Sequence, residues 1–354
     1  MNTAQSSPIR ALGLAVLVAA CVAGCENSRG GSNVESGSAM PAAGSTGIED
    51  STSSRTFELT YGVEVKEIPT GSRLRVWLPV PQSHAGQDVA FVAQEAPVTP
   101  RQTTESRYGN RMLYFEAKPV NKSRQSFRVT WKITRHEVNG LANPNPNSRL
   151  ADQQKRLFLG ANAKVPIDGK PLTLVDPKQV DRSTPITLAR TLYQQVDNHM
   201  RYDKSQPGYG HGDVLWACDS GFGNCTDFHS LFISWARAHD LPARFEIGFS
   251  IPKAGQGSIG GYHCWAQFHI DRHGWVPVDI SEADKHPELK DYFFGNLNSD
   301  RVQFTMGRDI TLEPPQDSGP LNYFIYPHIE VDGKEWPLEK TERKFEYQDL
   351  PATR

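Results

Sequence analysis

Three residues whose side chains could together perform covalent acyl transfer occur in order in the second half of the chain. They are Cys225, His263 and Asp279. A thiol can attack a carbonyl carbon, an imidazole can transfer the proton, and a carboxylate can hold the imidazole in place. The other elements of the chain must then bring these three groups together.

Cys225 lies at the predicted start of a helix. Apolar residues recur after it at helical spacing, namely Phe228, Leu231, Phe232, Trp235 and Ala236. The unpaired amide N–H groups and the dipole at this end of a helix lower the pKa of a thiol and can also donate to an oxyanion. His229 lies on the same helix face and is an alternative base, but a side chain one turn inside the helix points poorly toward that task.

His263 and Asp279 lie on the two strands of a predicted hairpin. The first strand spans residues 262–270, and the second spans residues 275–280 after a turn. In this register Asp279 lies roughly opposite residues 264–266, which is a short diagonal from His263. The hairpin therefore predicts a hydrogen bond between the carboxylate and the imidazole.

Four motifs follow one another through this region. They are Gly223-Asn224-Cys225-Thr226-Asp227-Phe228-His229, Leu241-Pro242-Ala243-Arg244, Tyr262-His263-Cys264-Trp265 and Trp275-Val276-Pro277-Val278-Asp279. Together they resemble the motifs of the transglutaminase-like superfamily, a papain-related cysteine fold. The resemblance implies that Cys225 is the nucleophile, His263 the general base and acid, and Asp279 the orienting carboxylate.

Two positions depart from the family pattern. Gln267 stands where an acidic residue is common, and Cys264 stands where a small aliphatic residue is common. Neither belongs to the triad, so the departures bear on substrate preference. Three side chains remain open as candidates for an oxyanion donor: Trp216, Asn224 and Tyr202.

The patterning predicts an α+β chain with several segments. Alternating apolar residues between turns predict an N-terminal antiparallel β-sandwich over residues 55–138. Residues 139–183 form a connector, 184–282 the transglutaminase-like catalytic domain, and 283–354 a C-terminal β extension packed on that domain. Helices are expected near 152–159 and from Thr184-Pro185 to about residue 200.

The N terminus resembles that of a bacterial lipoprotein. Residues 1–24 have the features of a signal peptide, because their apolar run of about 13 residues is shorter than the ~20 residues of a membrane-spanning helix. Cys25 is the predicted lipidation site, Cys21 is an alternative, and the Gly/Ser-rich segment 25–54 predicts a flexible tether. We therefore expect an envelope protein, periplasmic or extracellular, that contacts the membrane through its lipid anchor.

Three cysteines remain beyond the anchor. In an oxidising compartment we expect Cys218 to pair with Cys264 while Cys225 stays a thiol, and the alternative is that both are unpaired and buried. The net charge of -2 without a basic stripe argues against nucleic acid as a partner. The 11 histidines show no metal-ligand spacing, so neither a metal nor another cofactor is expected.

These features predict a cysteine-dependent enzyme that acts on amide or peptide bonds of a protein or peptide substrate. Hydrolysis of the thioester would make it a protease or amidase, and transfer to an amine would make it a transglutaminase. The triad fits both reactions. The alternative is a non-catalytic peptide- or envelope-binding module on the same fold, since a fold does not determine function.

Overall fold

The computed structural model describes residues 53–253 and 255–351, so the predictions for the signal peptide, Cys21 and Cys25 lie outside the described residues. The helices of the described part are α1 (Asp152–Leu159), α2 (Pro185–His199), α3 (Val214–Ser220), α4 (Cys225–Ala238) and α5 (Ile280–Lys285). Its strands are β1 (Ser54–Val65), β2 (Leu74–Val80), β3 (Gln87–Glu95), β4 (Arg101–Thr104), β5 (Arg111–Ala117), β6 (Gln125–His136), β7 (Val138–Asn139), β8 (Arg201–Tyr202), β9 (Phe222–Gly223), β10 (Ala243–Ser250), β11 (Gln256–Ser258), β12 (Tyr262–Ile270), β13 (Gly274–Val278), β14 (Asn296–Leu297), β15 (Arg301–Met306), β16 (His328–Val331), β17 (Lys334–Glu335) and β18 (Thr341–Asp349).

Two antiparallel five-stranded sheets form a sandwich. Their strand orders are β11-β18-β1-β6-β3 and β17-β16-β2-β5-β4. In β6, the buried residues Phe127, Val129, Trp131 and Ile133 alternate with more exposed ones, as expected for a strand with one face in a core. Phe127 packs against Phe115 of the other sheet, with ring centroids 4.9 Å apart. The predicted N-terminal sandwich is therefore confirmed.

Both ends of the described chain contribute strands to this sandwich. β18 pairs with β1, where Tyr61 lies opposite Phe345, and β16 pairs with β2, where Val76 lies opposite Ile329. β1 is largely buried, so its backbone groups need a hydrogen-bonded neighbour on each side. The C-terminal β extension is present, but the expectation that it only packs on the catalytic domain is wrong, because its strands complete the sandwich.

A third sheet, in the order β13-β12-β10-β15, carries the predicted hairpin. β12 and β13 pair with Ala266 opposite Val278, and β10 lies on the other side of β12 with Gly248 opposite His263. A Cβ atom at Gly248 would collide with the carbonyl oxygen of Val302. Glycine at this position therefore permits the close approach of β10 and β15.

The helices begin and end close to the predicted positions. Thr184 Oγ1 accepts a hydrogen bond from the amide of Thr187, and Pro185 occupies the first turn of α2. The short helix expected in the connector is α1. Among the residues that the structure describes, no helix is both long and apolar enough to cross a membrane.

One continuous apolar core joins the sandwich to the third sheet. Phe249 of β10 lies 4.9 Å from Phe345 of β18, measured between ring centroids, and Phe345 lies 4.6 Å from Tyr61 of β1. Helix α4 packs on the same core with every residue from Cys225 to Arg237 buried. The element that carries the nucleophile is thus held inside the molecule from all sides.

Candidate active site

Cys225 is the first residue of α4, as predicted. The helix begins there because Asn224 Oδ1 accepts a hydrogen bond from the amide of Thr226 at 2.9 Å, while Asp227 Oδ2 accepts one from the amide of Asn224 at 3.0 Å. This reciprocal arrangement is a capping box. It fixes the thiol beside the positive end of the helix dipole.

The hairpin brings His263 to Asp279. His263 Nε2 donates to Asp279 Oδ2 at 2.7 Å, which leaves Nδ1 as the ring nitrogen for Cys225. Cys225 and His263 are close enough that each shifts the pKa of the other. The structure therefore brings the three predicted groups together in the order thiol, imidazole, carboxylate.

Asp279 is fully buried and has further partners. Its Oδ2 also accepts from Arg301 Nη1 at 2.9 Å, and its Oδ1 accepts from Ser281 Oγ at 3.1 Å and from the amide of Glu282 at 3.2 Å. Burial opposes ionisation, but the charges of His263 and Arg301 and these hydrogen bonds hold the pKa of Asp279 well below its usual range. A permanent carboxylate therefore stands behind His263.

Cys225 and His263 shift each other's ionisation. Burial raises the pKa of the Cys225 thiol, but hydrogen bonds from Cys264 and His263 and the charge of His263 outweigh burial and bring it well below the ordinary value. Burial likewise lowers the pKa of His263, but the charge and hydrogen bond of Asp279, with Cys225, raise it to about 10. These opposite shifts favour a thiolate beside an imidazolium.

His229, the alternative base, has a different role. It is fully buried, and burial lowers its pKa to about 4. Its Nε2 accepts a hydrogen bond from the amide of Ile280 at 3.0 Å. Because its basic lone pair is occupied, His229 ties α4 to α5 and does not act as the base.

The three oxyanion candidates differ in their surroundings. Asn224 uses its Oδ1 in the cap and donates from Nδ2 to Tyr262 Oη at 3.0 Å. Trp216 packs its indole against Gly208, where a Cβ atom would lie 2.7 Å from Nε1. The pKa of Tyr202 is raised by burial and by the nearby charge of Cys225. Tyr202 therefore stays protonated. Which of the three donates to the oxyanion stays a prediction.

A glycine-rich loop over residues 207–212 is tied down beside Cys225. Asp227 accepts from the amides of Gly210 and Gly212 at 2.7 and 2.9 Å, and Tyr323 Oη donates to the Gly210 carbonyl at 3.1 Å. Tyr323 comes from the C-terminal extension, so the sequence did not link it to the site. The glycines of the loop are the sequence feature that could have indicated it, since Gly210 and Gly212 both have positive φ.

Gln267 stands where an acidic residue is common in the family, and the neighbouring strand β10 supplies an acidic side chain instead. Gln267 Nε2 donates to Glu246 Oε2 at 3.0 Å, and Glu246 also accepts from Trp265 Nε1 at 2.7 Å. The acidic group that holds the motif tryptophan is thus supplied by β10. Gln267 bridges it to Arg244, whose Nη2 donates to Gln267 Oε1 at 2.8 Å.

The predicted disulfide between Cys218 and Cys264 is not formed. Both are free thiols, as is Cys225. Cys264 Sγ is directed at the first turn of α4, at 3.8 Å from Thr226 Oγ1 and 3.7 Å from His229 Nδ1. Cys218 lies on α3, where the positive charge of Lys170 acts on it. The two thiols therefore have different surroundings. The alternative, two unpaired and buried thiols, describes the structure.

Asp279 does not lie on the second hairpin strand as predicted, because β13 ends at Val278 and Asp279 caps α5. A cysteine at the start of a buried helix, facing a histidine on an antiparallel hairpin and an aspartate directly after it, defines a papain-related α+β fold. The sequence model of the transglutaminase-like superfamily matches residues 174–280, which contain all three groups. An uncharacterised protein of Haemophilus influenzae is 30% identical over 336 residues, which cover 82% of this chain and 89% of that protein. The chain belongs to the transglutaminase-like superfamily, as its four motifs predicted.

One solved structure supports the same fold. A candidate cysteine protease from Cytophaga hutchinsonii aligns with a TM-score of 0.51 at 13% identity, over 84% of this chain and 99% of that one. The periplasmic domain of TgpA from Pseudomonas aeruginosa is a weaker likeness, with a TM-score of 0.35 at 15% identity over 68% of this chain and 91% of that one. Similarity at such identity concerns the fold, so the chemistry is argued from the site of this chain.

Proposed function

We propose that this protein is a cysteine-dependent acyl-transfer enzyme that cleaves amide or peptide bonds through a thioester on Cys225. One observation carries the proposal: Cys225 lies at the start of α4 beside His263, whose Nε2 lies 2.7 Å from Asp279 Oδ2. Burying an ion pair usually gains little stability against its desolvation cost. Strongly shifted titrating groups in one cluster favour a catalytic role.

The proposed reaction begins with attack of Cys225 Sγ on the carbonyl carbon of the amide. The amide N–H of Cys225, at the start of α4, stabilises the oxyanion, and His263 gives its Nδ1 proton to the departing amine, which leaves a thioester. An incoming water or amine then attacks the thioester and passes its proton to His263. This step releases the acyl product and restores the thiolate–imidazolium pair.

The exposure of Cys225 affects whether water or an amine can reach the thioester. Cys225 is 2% exposed, so bulk water reaches the thioester poorly in this conformation. Mass spectrometry of products from cell-envelope peptides, with and without an added primary amine, distinguishes hydrolysis from amine transfer by the mass of the acyl product.

We also propose that Cys25 carries a lipid and that segment 25–54 tethers the enzyme to a membrane of the bacterial envelope. The sequence of the first residues supports this proposal, and they lie outside the described part of the structure. Metabolic labelling with a radioactive fatty acid tests it. Label should appear in the wild type and be lost in Cys25→Ala; label that persists in Cys25→Ala but is lost in Cys21→Ala would move the site to Cys21.

Thiol alkylation tests the catalytic proposal without a substrate. We expect iodoacetamide to label Cys225 rapidly at a pH well below ~8.5, the pKa of an ordinary thiol, because His263 keeps it ionised. His263→Ala should slow this low-pH labelling most, and Asp279→Asn should slow it less. Cys218 is the internal reference, since burial raises its pKa to about 11.

Labelling is read by mass spectrometry of the peptide that contains Cys225. A labelling rate of Cys225 that rises only near pH ~8.5, alike in the wild type and His263→Ala, would contradict the catalytic proposal. That result would favour the non-catalytic binding module, for which the small exposure of Cys225 is the supporting observation.

A further inference from the structure

A second thiol lies against the nucleophile. Cys264 follows His263 on β12 and points to the opposite side of the strand, toward α4. Its Sγ lies 3.8 Å from Thr226 Oγ1 and 3.7 Å from His229 Nδ1, so it contacts the residue after Cys225 and the residue one helical turn beyond it. Cys225 and Cys264 are close enough that each shifts the pKa of the other.

We propose that Cys264 is a resolving cysteine, which forms a reversible disulfide with Cys225 when a peroxide oxidises the nucleophile. The proposal concerns the proposed active site, and it rests on the proposed function only in requiring an ionised Cys225. It assigns a role to the thiol that departs from the family pattern. A small aliphatic side chain at this position would pack equally well but could not form the bond.

The chemistry is balanced with hydrogen peroxide as the oxidant. The Cys225 thiolate attacks one peroxide oxygen, the O–O bond breaks, and hydroxide leaves, so that Cys225 becomes a sulfenic acid. Cys264 Sγ then attacks Cys225 Sγ, and the sulfenic oxygen departs with the Cys264 proton as water. The thiol pair loses two electrons to the peroxide, and an external dithiol can return them.

The ionisation of the two thiols fits these roles. Burial and the charge of Cys225 raise the pKa of Cys264 well above its ordinary value, so Cys264 remains protonated at neutral pH. Only Cys225 then reacts first with peroxide, because the thiolate is the reactive form. His229 Nδ1 faces Cys264 Sγ, and since its Nε2 accepts from Ile280, Nδ1 carries a proton that can stabilise the developing Cys264 thiolate.

The test is peroxide treatment of the full chain, followed by digestion without reductant and mass spectrometry. In the wild type we expect a cross-linked peptide pair joining Cys225 to Cys264, and dithiothreitol should restore labelling of Cys225 by iodoacetamide. In Cys264→Ala, compared at the same consumption of peroxide, Cys225 should proceed to sulfinic or sulfonic acid. Dithiothreitol should then fail to restore labelling. Cys218→Ala is the matched control and should behave as the wild type.

Two results would overturn the proposal. One is equal, irreversible loss of Cys225 labelling in the wild type and in Cys264→Ala. The other is a disulfide that joins Cys225 to Cys218. Cys264→Val is a second variant that keeps the buried volume, so a folding defect in one variant does not decide the outcome. His263→Ala separates this proposal from catalysis, because it should abolish low-pH alkylation yet still form the disulfide, more slowly.

Discussion

At the scale of single residues, the sequence predicted the triad Cys225, His263 and Asp279 but not the guanidinium of Arg301 that contacts Asp279. Cys225, His263 and Asp279 stand on elements whose helical or hairpin geometry is local, so the sequence pattern was sufficient to propose them. Arg301 reaches Asp279 because β15 pairs with β10. That pairing joins segments far apart in the chain, and no local pattern indicates it.

Arg301 is a positioning residue that holds Asp279 ionised. It is 2% exposed, and its Nε also donates to Asn298 Oδ1 at 3.1 Å. In Arg301→Met the pKa of Asp279 should rise, because a cation is lost beside a buried carboxylate. The acid-side midpoint of Cys225 alkylation should then move to higher pH, which is measured from labelling rates across the acid range.

A substitution that keeps the positive charge of Arg301 distinguishes its effect on the pKa of Asp279 from a purely structural effect. Arg301→Lys keeps the charge, so it should restore much of the acid-side midpoint even if it lowers the melting temperature. Arg128→Met is the control, because Arg128 is exposed on β6. An unchanged midpoint in folded Arg301→Met would show that His263 and the α5 cap are sufficient to keep Asp279 ionised.

At the scale of elements, α2, α4 and the short α1 were predictable, but α3 was not. α2 and α4 follow clear apolar spacing and recognisable caps. α3 was missed, because its seven residues lie between Gly212 and Gly221 in a segment that reads as a glycine-rich loop. It forms because Asp213 caps it, accepting hydrogen bonds from the amides of Leu215 and Trp216.

The first turn of α4 also organises the loop over residues 207–212, through Asp227. In Asp227→Asn, an amide NH₂ group would replace one carboxylate oxygen and face backbone donors at Gly210 or Gly212. We expect a loss of about 1–3 kcal/mol in the free energy of unfolding, because a buried donor is left unsatisfied. Amide hydrogen exchange should accelerate at Gly210 and Gly212, measured by mass spectrometry under native conditions.

Asp219→Asn is the matched control for that variant. Asp219 is largely exposed at the end of α3 and pairs only with Lys170, and such surface pairs contribute ~1 kcal/mol or less. If both variants lose the same stability and leave exchange at Gly210 unchanged, Asp227 does not hold the loop.

At the scale of the whole molecule, the sequence predicted a sandwich and a catalytic domain but not their shared strands. A linear division at residues 138 and 283 follows the chain, whereas β16, β17 and β18 return to the N-terminal sheets. Hydrophobic alternation identifies a strand but carries no information about a partner far along the chain. The consequence is a common core in which Tyr61, Phe249 and Phe345 meet.

This shared core predicts that the sandwich and the catalytic part unfold together. Phe345 is 6% exposed and contacts Tyr61 of the sandwich and Phe249 of the catalytic sheet, so Phe345→Ala should cost about 3–5 kcal/mol in the free energy of unfolding. Urea titrations followed by hydrogen exchange in β6 and in α4 should show one common midpoint, lowered equally in both elements. Gln348→Ala, at an exposed position of the same strand, should leave both midpoints unchanged. A midpoint that falls in β6 alone would show that the two parts are separate folding units, because α4 would then keep its structure after the sandwich had opened.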